Sequence, residues 1–202
     1  MTSCDNQDEE LVLLIGDFHI PNYATHLPKK FQELLVTDKI SHVLCTGNLG
    51  SKEIYSFIHK IAPNVHIVLG DMDVELPGYK EPATFPEFIV TTIGGIRIGL
   101  IHGHQLLPTP SQEALISWQR SQNCDIVVSG FTHQKNAERI YGKTYINPGS
   151  ATGVGKPYYS KPTTPTFMLM SVDKNTKCVR LYAYELVNNN VVPSMSQFST
   201  DS

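Results

Sequence analysis

Four apolar runs in this chain end at a glycine followed by side chains able to bind a metal ion, and a fifth ends in two histidines. No other feature restricts the fold as much. The segments are Gly16-Asp17-Phe18-His19, Gly47-Asn48, Gly70-Asp71-Met72-Asp73, Gly130-Phe131-Thr132-His133 and His102-Gly103-His104. A short apolar run bounded by glycine reads as a buried strand whose chain turns sharply at its end. In parallel-type sheets, ligands gather beyond the carboxyl ends of the strands. Asp17, His19, Asn48, Asp71, His102 and His133 would then meet at one rim, in an outline that suits two metal ions. Mixed Asp, Asn and His ligation favours Mn, Fe or Zn over Ca.

The runs between these segments set the architecture. Leu11–Ile15, His42–Cys45 and Val65–Leu69 read as strands, separated by helices at Leu27–Val36 and after Ser51, where Ile54, Tyr55, Ile58 and Ile61 share a face. Ser51 is placed to cap the second helix. That order is a βαβαβ half with a parallel sheet. Phe88–Ile93 and Ile96–Ile101 then flank Gly94-Gly95, a hairpin signal. A helix is expected from Thr109-Pro110 through Trp118, with proline at its first position and Gln112 in capping-box register. Further strands are expected at Asp125–Ser129, Ala137–Tyr141, Lys143–Ile146, Thr166–Val172 and Cys178–Leu186, with a mobile loop at Gly153–Pro165. The sum is an α/β chain with two facing mixed β-sheets flanked by helices. A flexible acidic tail is expected over residues 1–10, a single domain over 11–193 and a flexible tail over 194–202.

Composition narrows the class of partner. At 202 residues the chain suits one well-buried core. Net charge is -3 with no basic stripe, so nucleic acid is not an expected partner. No stretch approaches the roughly 20 apolar residues of a membrane span. The polar, acidic first ten residues lack the pattern of a secretory signal, so a cytoplasmic protein is expected. Cys4, Cys45, Cys124 and Cys178 show no C-x-x-C spacing and read as free thiols.

Taken singly, the site residues have ordinary explanations. Asp17 and Asp71 could be turn formers after glycine, and Asn48 a cap. His26, His42, His59 and His66 read as surface or core histidines. The joint pattern overturns the ordinary explanation for the six-residue set. His104 reads as an outer hydrogen-bonding group rather than a direct ligand.

The order D-x-H, G-N, G-D-x-D, H-G-H and G-x-T-H resembles the calcineurin-like metallophosphoesterase superfamily. Within it, Asp17-Phe18-His19-Ile20-Pro21, Leu44-Cys45-Thr46-Gly47-Asn48-Leu49, Ile98–Gln105 and Tyr145-Ile146-Asn147-Pro148-Gly149-Ser150-Ala151-Thr152-Gly153 are similar to the family of small phosphoesterase-fold retromer subunits. The likeness implies a four-layer α/β/β/α sandwich. It also implies a first ion held by Asp17, His19 and His133 with Asn48 bridging, and a second held by Asn48, Asp71, His102 and the first histidine of G-H-x-H. That histidine is Phe131 here, and the histidine of the G-N-H-D motif is Met72. A thioether has no proton to give a leaving oxygen.

The resemblance therefore implies a vestigial, non-catalytic site, with one divalent metal (Zn or Mn) as its cofactor. On the sequence alone, Phe131→His is expected to raise metal stoichiometry toward two. The family role is that of a scaffold peripheral on endosomal membranes, in retrieval of cargo to the Golgi or plasma membrane. The implied partners are the C-terminal helical solenoid of the large retromer subunit, which would cover the rim at Leu106 and Leu107, and regulators of endosomal small GTPases, which would meet Leu169, Tyr182 and Tyr184. Membranes would be reached only indirectly, through the complex. The alternatives are a metal-dependent phosphodiesterase or phosphatase, disfavoured by Asn48, Phe131 and Met72, and a metal-dependent phosphopeptide or phospholipid binder, disfavoured by the absence of a basic cluster.

Overall fold

In the computed structural model, residues 8–73, 85–108, 111–156 and 163–199 are described. They form eleven strands and three helices: β1 (Glu9–Ile15), α1 (Lys29–Leu35), β2 (His42–Cys45), α2 (Lys52–Ile58), β3 (Asn64–Ile67), β4 (Phe88–Ile93), β5 (Ile96–Ile101), α3 (Gln112–Gln122), β6 (Ile126–Ser129), β7 (Asn136–Ile140), β8 (Lys143–Asn147), β9 (Thr166–Asp173), β10 (Cys178–Val187) and β11 (Asn190–Ser199). One sheet has the order β11-β10-β9-β1-β2-β3 and the other β4-β5-β6-β8-β7. β1, β2 and β3 run parallel, as do β5, β6 and β8, while the flanking strands pair antiparallel. Both sheets are mixed.

Side-chain alternation along β1 explains the layering. Leu13 and Ile15 face a core shared with Phe31 and Leu35 of α1 and Ile54 and Ile58 of α2. Val12 and Leu14 face a second core, shared with Ile98, Leu100, Ile126 and Val128 of the other sheet. A strand covered on both sides must be apolar at every position, which is why Leu11–Ile15 shows no alternation. A third, smaller core packs Ile101, Val127 and Tyr145 against Leu115, Ile116 and Trp118 of α3. Helices, sheet, sheet and helix make the four expected layers. Ser51 caps α2, its hydroxyl accepting from the Ile54 amide.

Three expectations are corrected. The third helix is capped by Ser111, whose hydroxyl accepts from the Ala114 amide at 3.2 Å, and it continues to Gln122, where Asn123 stops it in the left-handed conformation. Thr109 and Pro110, the expected start, lie outside the described residues, as do 157–162 of the expected 153–165 loop. Residues 194–199 of the flexible tail expected over 194–202 belong to β11, which pairs with β10 from Val187↔Asn190 to Cys178↔Ser199. Asn188 and Asn189, at φ 47° and 58°, close this hairpin. Positive φ at both central residues defines a type I′ turn, which asparagine tolerates. Pro193 fits because β11 is an edge strand. At the other terminus β1 begins at Glu9, inside the expected acidic tail.

Phe167 of β9 ties the helix-side core together. Its ring meets Phe31 edge-on at 4.8 Å and stacks on Tyr184 at 4.9 Å. Phe167→Ala should lower unfolding free energy by about 3–5 kcal/mol, the range for deleting a buried aromatic ring. Urea unfolding followed by circular dichroism would measure it.

Candidate metal rim

All six predicted ligands come together where strands of both sheets end. Asp17 and His19 follow β1, Asn48 follows β2, Asp71 follows β3, His102 follows β5 and His133 follows β6. Asp17, His19, Asn48, Phe131 and His133 all have positive φ, between 23° and 57°. Non-glycine residues rarely adopt this region, and clusters of it mark sites whose geometry the surroundings impose. Gly47 (φ 98°) and Gly70 let two of these turns pack together, and a Cβ on Gly70 would collide with the Asn48 carboxamide.

The strain is held by a hydrogen-bonded frame that the sequence reading did not assign. Asp73 accepts from the amides of Asn48 (2.6 Å), Leu49 (2.9 Å) and Gly70 (2.9 Å), tying the ends of β2 and β3. Burial still pushes its carboxyl above the ordinary range. Ser150 donates to the Asp17 carbonyl at 2.7 Å and Thr152 to that of Phe18 at 2.9 Å. Asn147 donates to Thr132 Oγ1 and to the Gly130 carbonyl, fixing the turn that carries His133. The signal for these residues was the long Asn-Pro-Gly-Ser-Ala-Thr-Gly run, whose role needs the partner strands to be seen.

Asp17, His19 and His133 form one donor cluster. Asp17 Oδ1 lies 3.6 Å from His19 Nε2 and 3.2 Å from His133 Nε2, and the two nitrogens are 3.3 Å apart. Tetrahedral coordination at about 2.0–2.1 Å separates ligands by about 3.4 Å, so the three donors match the edges of one coordination polyhedron. His133 Nδ1 donates to the Val154 carbonyl at 2.8 Å, which leaves the Nε2 lone pair facing the cluster. Asp17 is fully buried, and among the described residues its Oδ2 has no hydrogen-bond partner. Burial alone would raise the Asp17 pKa; the neighbouring His133 and His19 rings more than offset this and hold the carboxyl well below the usual range. The cluster fits one divalent ion.

The other half is arranged differently. His102 Nδ1 donates to the Thr46 carbonyl at 2.7 Å, and Nε2 lies 3.0 Å from Asp71 Oδ1. Burial disfavours a charged His102, but Asp71 outweighs it and the pKa lies above the ordinary value. Asp71 is held low because His102, Asn48 and Lys156 overcome the effect of burial. Asn48 was expected to bridge two ions through oxygen. Instead its NH₂ donates to Asp17 Oδ1 (2.9 Å) and Asp71 Oδ1 (2.8 Å), while its Oδ1 accepts from the Met72 amide. It joins the carboxylates as a hydrogen-bond donor. The Phe131 ring stands edge-on to His102 at 5.8 Å.

The remaining predicted residues sort cleanly. His104 is adjacent to His102, with ring centroids 5.2 Å apart. Leu106 packs against the α3-side core, whereas Leu107 is 80% exposed. Leu169 pairs with Tyr182, which pairs with the exposed Met195, making an apolar row across three strands. Tyr184 lies on the same face and packs beside Phe167. His26, His42 and His59 have partners elsewhere (Thr25, Glu10 and Tyr55).

Residues 11–175 match the calcineurin-like phosphoesterase superfamily domain. Vacuolar protein sorting-associated protein 29 of Schizosaccharomyces pombe is 35% identical over 191 residues, covering 93% of this chain and 97% of the relative. The solved structure of vacuolar protein sorting 29 from Cryptosporidium parvum is 44% identical, with TM-score 0.86 over 95% of this chain and 98% of that one. Wild-type Vps29 from Entamoeba histolytica complexed with Zn²⁺ is 38% identical, with TM-score 0.82 over 93% and 98%.

Replacing Asp73 with asparagine sets an NH₂ against one of its three amide donors. Asp73→Asn should cost about 1–3 kcal/mol, the penalty for a buried unsatisfied donor. Denaturant unfolding of the two proteins side by side would read the difference.

Proposed function

Because the chain belongs to the calcineurin-like phosphoesterase superfamily and to its Vps29 family of small retromer subunits, we propose that it serves retromer as a non-catalytic scaffold in endosomal protein sorting. The observation that carries this reading is Met72. It stands 43% exposed at the rim, where hydrolysis would need a proton donor. General acid catalysis is worth about 10²–10⁴ in rate. The second ion, whose Lewis acidity would add several kcal/mol, lacks a donor at Phe131, where the superfamily pattern has a histidine, and meets the NH₂ of Asn48. Together these losses remove several orders of magnitude of rate.

The rim then acts as a binding face. Leu107, exposed beside the ligand loops, meets the C-terminal helical solenoid of the large retromer subunit, with Leu106 supporting it from below. The row Leu169, Tyr182 and Met195, with Tyr184 beside it, receives regulators of endosomal small GTPases. One Zn or Mn ion at Asp17, His19 and His133 would brace the turns after β1 and β6, and His104 would steady His102 from outside. The Zn²⁺ complex of the Entamoeba relative supports that ion. Membrane contact is indirect, through the complex; among the described residues no helix is long and apolar enough to cross a bilayer. The donor spacing at Asp17, His19 and His133 also favours a second reading, a single-metal phosphodiesterase.

Two measurements test the proposal. Turnover of bis(p-nitrophenyl) phosphate with added Mn²⁺ should stay at background; a rate that rises strongly with Mn²⁺ and falls in Asp17→Ala would establish the enzyme reading. Leu107→Asp should weaken binding to the large retromer subunit at least tenfold, about 1.4 kcal/mol. The circular dichroism spectrum should be unchanged, and undiminished binding would remove the rim from the interface.

A further inference from the structure

Lys156 supplies a cation where the superfamily pattern calls for a second metal ion. Its side chain is only 11% exposed, deep for a lysine. The ammonium donates to Asp71 Oδ2 at 3.0 Å and lies 3.4 Å from the centroid of the Phe131 ring. It is thus sandwiched between the carboxylate expected to bind the second ion and the side chain that replaces one of that ion's histidines. An imidazole lone pair binds a metal; a phenyl face instead attracts a cation through its quadrupole. The change from histidine to phenylalanine converts a metal ligand into a surface suited to an ammonium group.

The other donors agree. Asn48 turns its NH₂ toward Asp71, so it offers the site no lone pair. Only Asp71 and His102 remain, already 3.0 Å apart and hydrogen-bonded to each other. Two donors fall short of the four that a tetrahedral ion takes. The residues of this half therefore do not fit a second ion. Val154, two positions before Lys156, accepts from His133 Nδ1. One short segment thus fixes a histidine of the first half and neutralises the carboxylate of the second.

We infer that the Lys156 ammonium takes the place of the second ion, so that this chain binds at most one divalent cation and Asp71 is neutralised by a charge that cannot dissociate. This rests on the proposed assignment of Asp17, His19 and His133 to that single ion. It also revises the expectation for Phe131→His. Restoring the histidine alone leaves the ammonium in place, so the stoichiometry should remain one.

Native mass spectrometry of the full chain with excess Zn²⁺ tests this. The unaltered protein, Phe131→His and Lys156→Met should each carry one ion, and Phe131→His/Lys156→Met should carry two. Two ions on the unaltered chain or on Phe131→His, or one on a correctly folded double variant, would overturn the inference. Zero ions on the unaltered chain would reject the first-site assignment separately, and Lys156 would then be judged by whether the double variant gains an ion that neither single variant has. Should the double variant not fold, ¹⁵N-lysine spectra of the unaltered protein decide. The Lys156 ammonium resonance, identified by its loss in Lys156→Met, should hold its position from one to several equivalents of Zn²⁺. Its displacement by a second equivalent would refute the inference.

Discussion

The rim is organised around one carboxylate that has no access to water. Asp17 is fully buried at the end of β1, and an ionised group there must be compensated by its surroundings. His19, His133 and the Asn48 NH₂ all aim at its Oδ1. Reaching it forces each of those residues, and Asp17 itself, into left-handed backbone. The strain is carried by groups that perform no chemistry: Asp73 beneath Asn48, Ser150 beneath Asp17, Asn147 beneath the turn before His133. The two sheets supply the depth. The core between them packs β1 against β5 and β6, which is why ligands from strands far apart in sequence reach a single carboxylate.

Most of this architecture was legible because strand ends and ligands coincide in the sequence. Leu11–Ile15, apolar at every position, announces a strand covered on both faces, and Gly94-Gly95 announces its hairpin. β11 was harder to read. Its residues alternate weakly, its turn is Asn-Asn rather than Asn-Gly, and its register comes entirely from pairing with β10. The start of α3 was misplaced because Thr109-Pro110 and Ser111 both carry capping signals, and only the backbone shows which hydroxyl meets an orphan amide. At the site, residue type identified the ligands but not their orientation. Asn48 has an acceptor and a donor on one carbon, and only the Met72 amide on one side and two carboxylates on the other decide which faces the centre. Lys156 was invisible for a related reason. It lies in a segment rich in Gly, Pro and Ser, where a lone lysine ordinarily reads as solvent-exposed.

The departures from the superfamily pattern are mutually consistent. Asn48 removes one negative charge from the centre. Phe131 removes a ligand and offers an aromatic face. Lys156 adds a positive charge on that face, and Met72 adds an apolar side chain at the mouth. On the proposed reading each alone would leave a defective site: Phe131 without Lys156 would leave Asp71 without its fixed counter-charge, and Lys156 opposite a ligating histidine would compete with the metal. On the inference drawn from Lys156, Asp71 is balanced by the Lys156 ammonium rather than by a second ion.

That balance bears on the proposed binding role. An enzyme needs an open, ion-loaded pocket at the moment of reaction, whereas a protein interface needs a surface whose shape is constant. A rim whose charges were satisfied only by two dissociable ions would change its loop geometry with metal supply, and a partner seated on Leu107 would feel the change. Here the turn after β3 is held by Lys156 and Asp73, both covalently part of the chain, and only the turns after β1 and β6 meet at the Asp17 cluster. With the proposed single ion, metal dependence is confined to one side of the rim. Leu107 follows the β5 turn, which is anchored through His102 to Thr46 and Asp71, so its position is set by the metal-independent side.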